Sequence, residues 1–311
     1  MTAKVSATRP TLSNMPAHYK WAVLLVLLTI ILRLPAIVHP KPVDDEGGYS
    51  VIATELLHGQ SLYKDVVERK PPLLFYIYEV IFFLVGPYNW VPFHLIAVGW
   101  ILLTMWGLYA IGKELFDRNA GLTAALFYTI ATTPSKSQTL ALNGEVMMNL
   151  PIVWALFIAF RQHPSQRRWD LIASGILLCC AFLIKQPAAI AAVPIGIYLL
   201  LPSYRAKHDL KPLDSFLQAS TLTMSYFATL GIAALLLYHQ GILDETYYWI
   251  IKDHDLFHGP TDLGADQIAR LINPERGTRD HVDQVRAQVL IRAGQGHGGG
   301  HHGDGGEHGL S

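Results

Sequence analysis

Residues 71–86 read PPLLFYIYEVIFFLVG, and whether this run crosses a membrane decides how the rest of the chain is threaded. It is about 16 residues long, opens on two prolines and carries Glu79, whereas a spanning helix needs about 20 mostly apolar residues. Other apolar runs lie at 21–38, 92–112, 120–134, 146–160, 171–184, 187–201 and 215–239. Several segments between them are basic: Lys113 and Arg118 in 112–119, Arg161, Arg167 and Arg168 in 161–170, and Arg205, Lys207 and Lys211 in 202–212. Lys4, Arg9 and Lys20 precede the first run. Short loops rich in Lys and Arg collect on the cytoplasmic side. If 1–20 and 112–119 share that side, the chain between them crosses an even number of times, yet it holds three apolar runs. The run that does not cross is 71–86. Seven spans remain, and the chain from about 240 lies outside.

The 71–86 run is therefore expected to be a helix lying in or dipping into the outer interface. A second surface helix is expected over 46–58, where Tyr49, Ile52, Ala53, Leu56 and Leu57 form one apolar face and Gly59 ends the helix. The expected fold class is all-α: a polytopic membrane protein of about seven transmembrane helices, with amphipathic interfacial helices in the first outside loop. Three regions follow: a cytoplasmic segment 1–20, a transmembrane module 21–258, and a polar, Gly/His-rich tail 259–311. The run 21–38 is followed by His39-Pro40-Lys41-Pro42 rather than a small-residue cleavage site, so it reads as an uncleaved first helix. Arg33, near its outer end, either snorkels to the interface or contacts a lipid phosphate.

Composition agrees with lipid as solvent. The chain is 51% hydrophobic and 15% charged, against about 25% charged in average soluble chains, and its mean hydropathy is +0.28. Lys plus Arg equals Asp plus Glu at 24 each, which gives no field to gather nucleic acid. The two cysteines, Cys179 and Cys180, are adjacent in an apolar run and read as small apolar side chains. No phosphate loop, H-E-x-x-H pair or Cys metal spacing is present. His297, His301, His302, Asp304, Glu307 and His308 have metal-binding side chains, but glycine makes up half of residues 294–311. That composition cannot pack a core, and the tail is expected to be disordered.

Charge elsewhere gathers at the outer ends of the runs. Asp44, Asp45 and Glu46 follow the first helix. They read either as the start of a helix whose dipole favours acids or as a general base for a hydroxyl acceptor. Arg69 and Lys70 stand directly before Pro71-Pro72, either anchoring to anionic headgroups or neutralising a departing phosphate at a helix N-terminus. Glu145 opens the 146–160 run after Asn143-Gly144, and Lys185 lies where the run 171–201 must turn. A lone charge in such a run needs water or a partner.

Taken in order, "DDEGGYSVIATELLHGQSLYKD", "ERKPPLLFYIYEVIFFLVG", "GKELFDRNAGLTAAL", "LNGEVMMNLPIVWAL", "GILLCCAFLIKQPAAIAAVP" and "YYWIIKDHDLFHG" resemble one family. It is the membrane-embedded, lipid-phosphosugar-dependent glycosyltransferases (GT-C type), which include protein O-mannosyltransferases and the lipid A aminoarabinose transferase. The resemblance implies Asp45 and Glu46 as catalytic acids, and Lys70, Arg69, Lys185 and Glu145 as donor or lipid-phosphate contacts. It implies attack of an acceptor on the anomeric carbon with loss of polyprenyl phosphate, usually with inversion. The implied partners are a polyprenyl-phosphate sugar donor, a lipid, glycan or protein acceptor, and membrane lipids. The implied location is the cell (plasma or inner) membrane, with the site facing outside. No cofactor is called for, and a divalent metal requirement is left open. Residues from about 261 onward read like a shifted frame of GC-rich coding DNA, so truncation is expected. The alternative function is a non-catalytic, degenerate paralogue that binds lipid phosphate without transfer. A transporter would call for polar or broken helices at the bilayer midplane in repeated halves, and no repeat is evident.

Overall fold

The computed structural model describes residues 17–39, 42, 45–133, 140–161 and 167–252. The chain divides into Met1–Leu256 and Phe257–Ser311, and every described residue belongs to the first unit. Asp44 and the Gly/His-rich tail lie outside the described residues.

The described residues form helices, with no strand beyond one isolated bridge between Leu62 and Val66. The order is α1 (Ala17–Val38), α2 (Glu46–Leu57), α3 (Pro72–Val85), α4 (Trp90–Leu115), α5 (Arg118–Ala131), α6 (Gly144–Phe160) and α7 (Arg167–Ile184). A 3₁₀ turn Gln186–Ala191 follows, then α8 (Ala192–Leu200), α9 (Pro202–Lys207), α10 (Pro212–His239), α11 (Leu243–Tyr247) and a π-turn Tyr248–Lys252. Among the described residues three helices are long and apolar enough to cross a bilayer: Tyr19–Val38, Trp90–Leu115 and Pro212–His239. Pro72–Val85, Gly144–Phe160 and Gln186–Leu200 are shorter apolar helices. At about 1.5 Å per residue, α3 is about 21 Å long, short of a hydrocarbon core of about 30 Å.

Large apolar side chains face outward along these helices: Leu24, Leu27 and Ile31 on α1, Phe127 and Ile130 on α5, and Met224, Phe227, Ile232 and Leu236 on α10. A water-soluble protein rarely exposes so continuous an apolar surface. This is an all-α membrane protein. Small residues bring its helices together, as membrane helices commonly require. A Cβ at Gly112 on α4 would stand 2.6 Å from the Cα of Gly121 on α5, and one at Gly107 would meet Val153 of α6 at 2.6 Å. Thus α4 lies against α5 and α6, α6 against α7, and α7 against α10.

Three local features depart from the sequence reading. The apolar face of α2 (Tyr49, Ile52, Ala53 and Leu56) is buried against α3 rather than laid on lipid, with the Tyr49 ring 5.8 Å from Phe75 and 5.4 Å from Tyr78. The outward apolar face belongs to α3, through Val80, Phe83 and Leu84. The 187–201 run starts as a 3₁₀ turn with Pro187 in its first positions, where a proline, lacking an N–H, cannot continue α7. Arg33 neither snorkels nor faces lipid: it is 2% exposed and donates to the carbonyls of Thr132 at 2.8 Å and Leu140 at 3.1 Å. Thr132 ends α5, where carbonyls lack intrahelical donors, so the guanidinium satisfies groups that the helix leaves open.

Candidate functional site

Asp45 immediately precedes α2, and its Oδ2 accepts hydrogen bonds from Tyr49 Oη, one turn along, and from Lys70 Nζ, both at 2.8 Å. Lys70 also donates to the Tyr49 hydroxyl and lies 4.5 Å from the centre of that ring, so the ammonium meets both its oxygen and its π-face. The loop between α2 and α3 makes this meeting possible. Gly59 leaves α2 with φ +86°, a left-handed conformation that glycine adopts without a Cβ clash. The backbone then turns at Tyr63, whose amide donates to Val66 O at 2.7 Å and whose hydroxyl donates to Lys70 O at 2.7 Å. Lys70 is thereby fixed just before Pro71 and the start of α3.

Lys185 reaches the same place from the break after α7. Its backbone is extended (φ −153°, ψ 127°) between the end of α7 and the 3₁₀ turn, and its ammonium pairs with Glu145. Glu145 is the second residue of α6, whose N-cap Asn143 accepts the amide of Val146 at 3.0 Å. Between them Gly144 leaves room: a Cβ there would meet Lys185 Cδ at 3.3 Å and Leu74 Cδ1 at 3.1 Å. Gln186 Nε2 donates to Arg69 O at 3.1 Å, joining the segment that carries Lys70 to the one that carries Lys185. The Arg69 side chain is exposed.

Electrostatics tie the two ion pairs together. Partial burial alone would raise the Asp45 pKa. Hydrogen bonds from Lys70 and Tyr49 and the charges of Lys70 and Lys185 outweigh it and hold the carboxyl below its ordinary value. Burial, then the charge of Lys70, lowers the pKa of Lys185, with Asp45 acting against them. Two acids and two lysines therefore form one cluster, each lysine engaged by an acid.

Glu46 faces elsewhere. It is fully buried; Oε1 accepts the amide of Leu142 at 2.6 Å and Oε2 lies 3.2 Å from His94 Nε2. Tyr78 Oη donates to the carbonyl of the same Leu142 at 2.7 Å. The sequence reading passed over Tyr49 as part of an apolar face, although its spacing of four from Asp45 was a readable signal. It also passed over His94, a polar residue near the start of apolar α4. Among the described residues no group of three or more His, Cys, Asp or Glu side chains could hold a metal ion.

Fold and site together define a membrane-embedded, all-helical protein whose acids and lysines converge at helix ends rather than within the spans. The family model described as dolichyl-phosphate-mannose-protein mannosyltransferase matches residues 69–238, and the chain belongs to that family. Membership places it among membrane glycosyltransferases that use a polyprenyl-phosphate-linked sugar donor. The match begins at Arg69 and takes in Lys70, Glu145 and Lys185, with Asp45 and Glu46 before it. No curated protein and no solved structure was found to match the chain.

Proposed function

We propose that the chain transfers a sugar from a polyprenyl-phosphate donor to a hydroxyl acceptor on a lipid, glycan or protein, at the extracytoplasmic face of the cell membrane. The observation that carries this reading is the contact of Asp45 with Lys70 and Tyr49, beside the Lys185–Glu145 pair. It supplies a base and two cations within one cluster. The donor phosphate engages Lys70 and Lys185, with Arg69 at the exposed rim. The acceptor oxygen attacks the anomeric carbon and its proton passes to Asp45. The bond from that carbon to the phosphate oxygen breaks, and the electron pair leaves with polyprenyl phosphate, whose charge the lysines neutralise. Attack opposite the leaving group inverts the anomeric centre.

Lys70 pairs with Asp45 at 2.8 Å. A bound phosphate competes for that ammonium, and a carboxylate that loses a cationic partner becomes more basic. The donor thus prepares the base that the acceptor needs. Glu46, read from the sequence as a second catalytic acid, is assigned here to holding the base in place, since its oxygens point into the protein. The reading takes seven crossings with α3 at the outer interface and the cluster outside the cell, which the basic residues at the other ends of α6 and α7 support.

The test is Asp45→Asn in the full chain reconstituted with polyprenyl-phosphate mannose. Transfer should fall by about 10³-fold or more, given that general-base catalysis contributes about 10² to 10⁴, while donor binding persists. Unchanged turnover would remove Asp45 as the base.

A further inference from the structure

The polar environment of His94 singles it out. The ring is 1% exposed on the second turn of α4, stacked on Trp90 with centroids 5.9 Å apart and edge-on to Phe93 at 5.7 Å. Its Nδ1 has no hydrogen-bond partner among the described residues, and Nε2 meets Glu46 at 3.2 Å. A buried imidazole in an aromatic box, with one polar contact, is explained by what it does for that contact. A fully buried carboxylate is costly unless several donors face it, and here the imidazole joins the amide of Leu142.

That carboxylate links two parts of the site. Through the chain, Glu46 is the next residue after Asp45, so fixing Glu46 fixes where α2 begins and where the Asp45 carboxyl stands. Through Leu142, it holds the turn that leads into α6 and Glu145. Catalytic groups need placement within about 0.5 Å. An unanchored α2 start would leave Asp45 free to drift from Lys70.

We propose that His94 is a positioning residue for sugar transfer: by binding the buried Glu46 carboxylate, it sets the geometry of both Asp45–Lys70 and Glu145–Lys185. The proposal rests on the function given above, and its test is arranged so that the two fail separately.

Zero-length carbodiimide coupling reads the geometry without turnover, because it joins a carboxylate to an ammonium only where they touch. In the full chain in detergent, peptide mass spectrometry should find Asp45–Lys70 and Glu145–Lys185 amides. Lys64–Glu245, an ion pair at 3.7 Å that shares no residue with the Glu46 linkage, serves as the control. His94→Leu should lower the first two yields by about fivefold or more, consistent with drift beyond the tolerated 0.5 Å, and leave the control unchanged. His94→Gln, whose amide can still donate to Glu46, should restore them. An unchanged Asp45–Lys70 yield in His94→Leu overturns the proposal, and so does loss of all three amides in both variants, since that marks a purely structural role. With polyprenyl-phosphate mannose as donor, His94→Leu should lower kcat by about 10- to 100-fold, keep the donor KM, and regain rate as His94→Gln. A wild-type chain that never consumes this donor counts against the proposed function, while the coupling yields still decide the positioning role.

Discussion

Asp45 and Glu46 are neighbours in sequence with opposite fates, and the helix explains why. Consecutive helical residues point about 100° apart, so when Asp45 faces Lys70, Glu46 turns inward to His94. The charges of Asp45, Lys70, Glu145 and Lys185 were legible because ionised groups at the ends of apolar runs need water or partners. The inward turn of Glu46 was not, because His94 and Leu142, which it meets there, lie 48 and 96 positions away and only packing brings them near. Tyr49 supplies a prediction at this scale. Its hydroxyl touches both Asp45 and Lys70, so Tyr49→Phe removes one of the bonds that lower the carboxyl pKa. The Asp45 pKa is depressed in the fold, so the proposed base stays ionised as pH falls past the ordinary carboxylate value of about 3.9. Stability from this pairing is present above the unfolded value and is lost as pH falls through the folded one. The acidic limb of kcat/KM, which reports the free enzyme, should therefore lie below the ordinary carboxylate range. Tyr49→Phe should move that limb to higher pH and lower kcat by about three- to tenfold, the worth of one ordinary hydrogen bond. A limb that stays in place would show that the hydroxyl does not tune the base.

At the scale of elements, helix positions were readable from apolar runs, whereas what covers each face was not. The i, i+3, i+4 pattern located α2, but it cannot say whether lipid or α3 lies opposite, since both are equally apolar partners. Close helix pairs were also hidden, because a glycine in a helical run looks the same whether it faces a backbone or open space. Gly121 and Gly99 separate these cases. A Cβ at Gly121 would stand 2.5 Å from Tyr109 O and 3.1 Å from Lys113 N, whereas nothing lies within 4 Å of one at Gly99. Backbone atoms cannot move aside as a flexible side chain does, so Gly121→Val should force α4 and α5 apart. The expected cost is about 1–3 kcal/mol, as for overpacked cores, read as a lower midpoint of thermal unfolding in detergent. Gly99→Ala, in the same hairpin, should cost nothing and gain up to about 1 kcal/mol from helix propensity. Equal losses at both positions would mean that the α4–α5 approach does not limit stability.

For the whole molecule, the threading turns on α3. Helices α6 and α7 carry the site and the basic loops at opposite ends: Glu145 begins α6 while Arg161 follows its last residue, and Arg167 begins α7 while Lys185 follows its last residue. The basic end closes on itself, with Arg161 paired to Asp170 and Arg167 donating to Ala159 O at 2.6 Å. Lys and Arg at one end of the spans and the acid–lysine cluster at the other fit a site that faces away from the cytoplasm. Whether α3 crosses fixes the side on which everything after it lies, and two positions decide it. Val67, 44% exposed, precedes α3, and Glu114, also exposed, is the last residue but one of α4. If α3 lies at the interface, only α4 crosses between them, so the two positions fall on opposite sides. If α3 also crosses, they fall on the same side. Cysteines placed singly at 67 and 114, with Cys179 and Cys180 replaced by alanine, can be labelled in intact cells by a membrane-impermeant maleimide. Position 67 should label in intact cells and position 114 only after permeabilisation. Labelling of both from outside would make 71–86 a true span, reverse the side assigned to every later loop, and separate Lys185 and Glu145 from Asp45 across the bilayer. The hydrogen bond from Gln186 Nε2 to Arg69 O at 3.1 Å argues against that outcome, because a bilayer about 30 Å thick would hold those two segments apart.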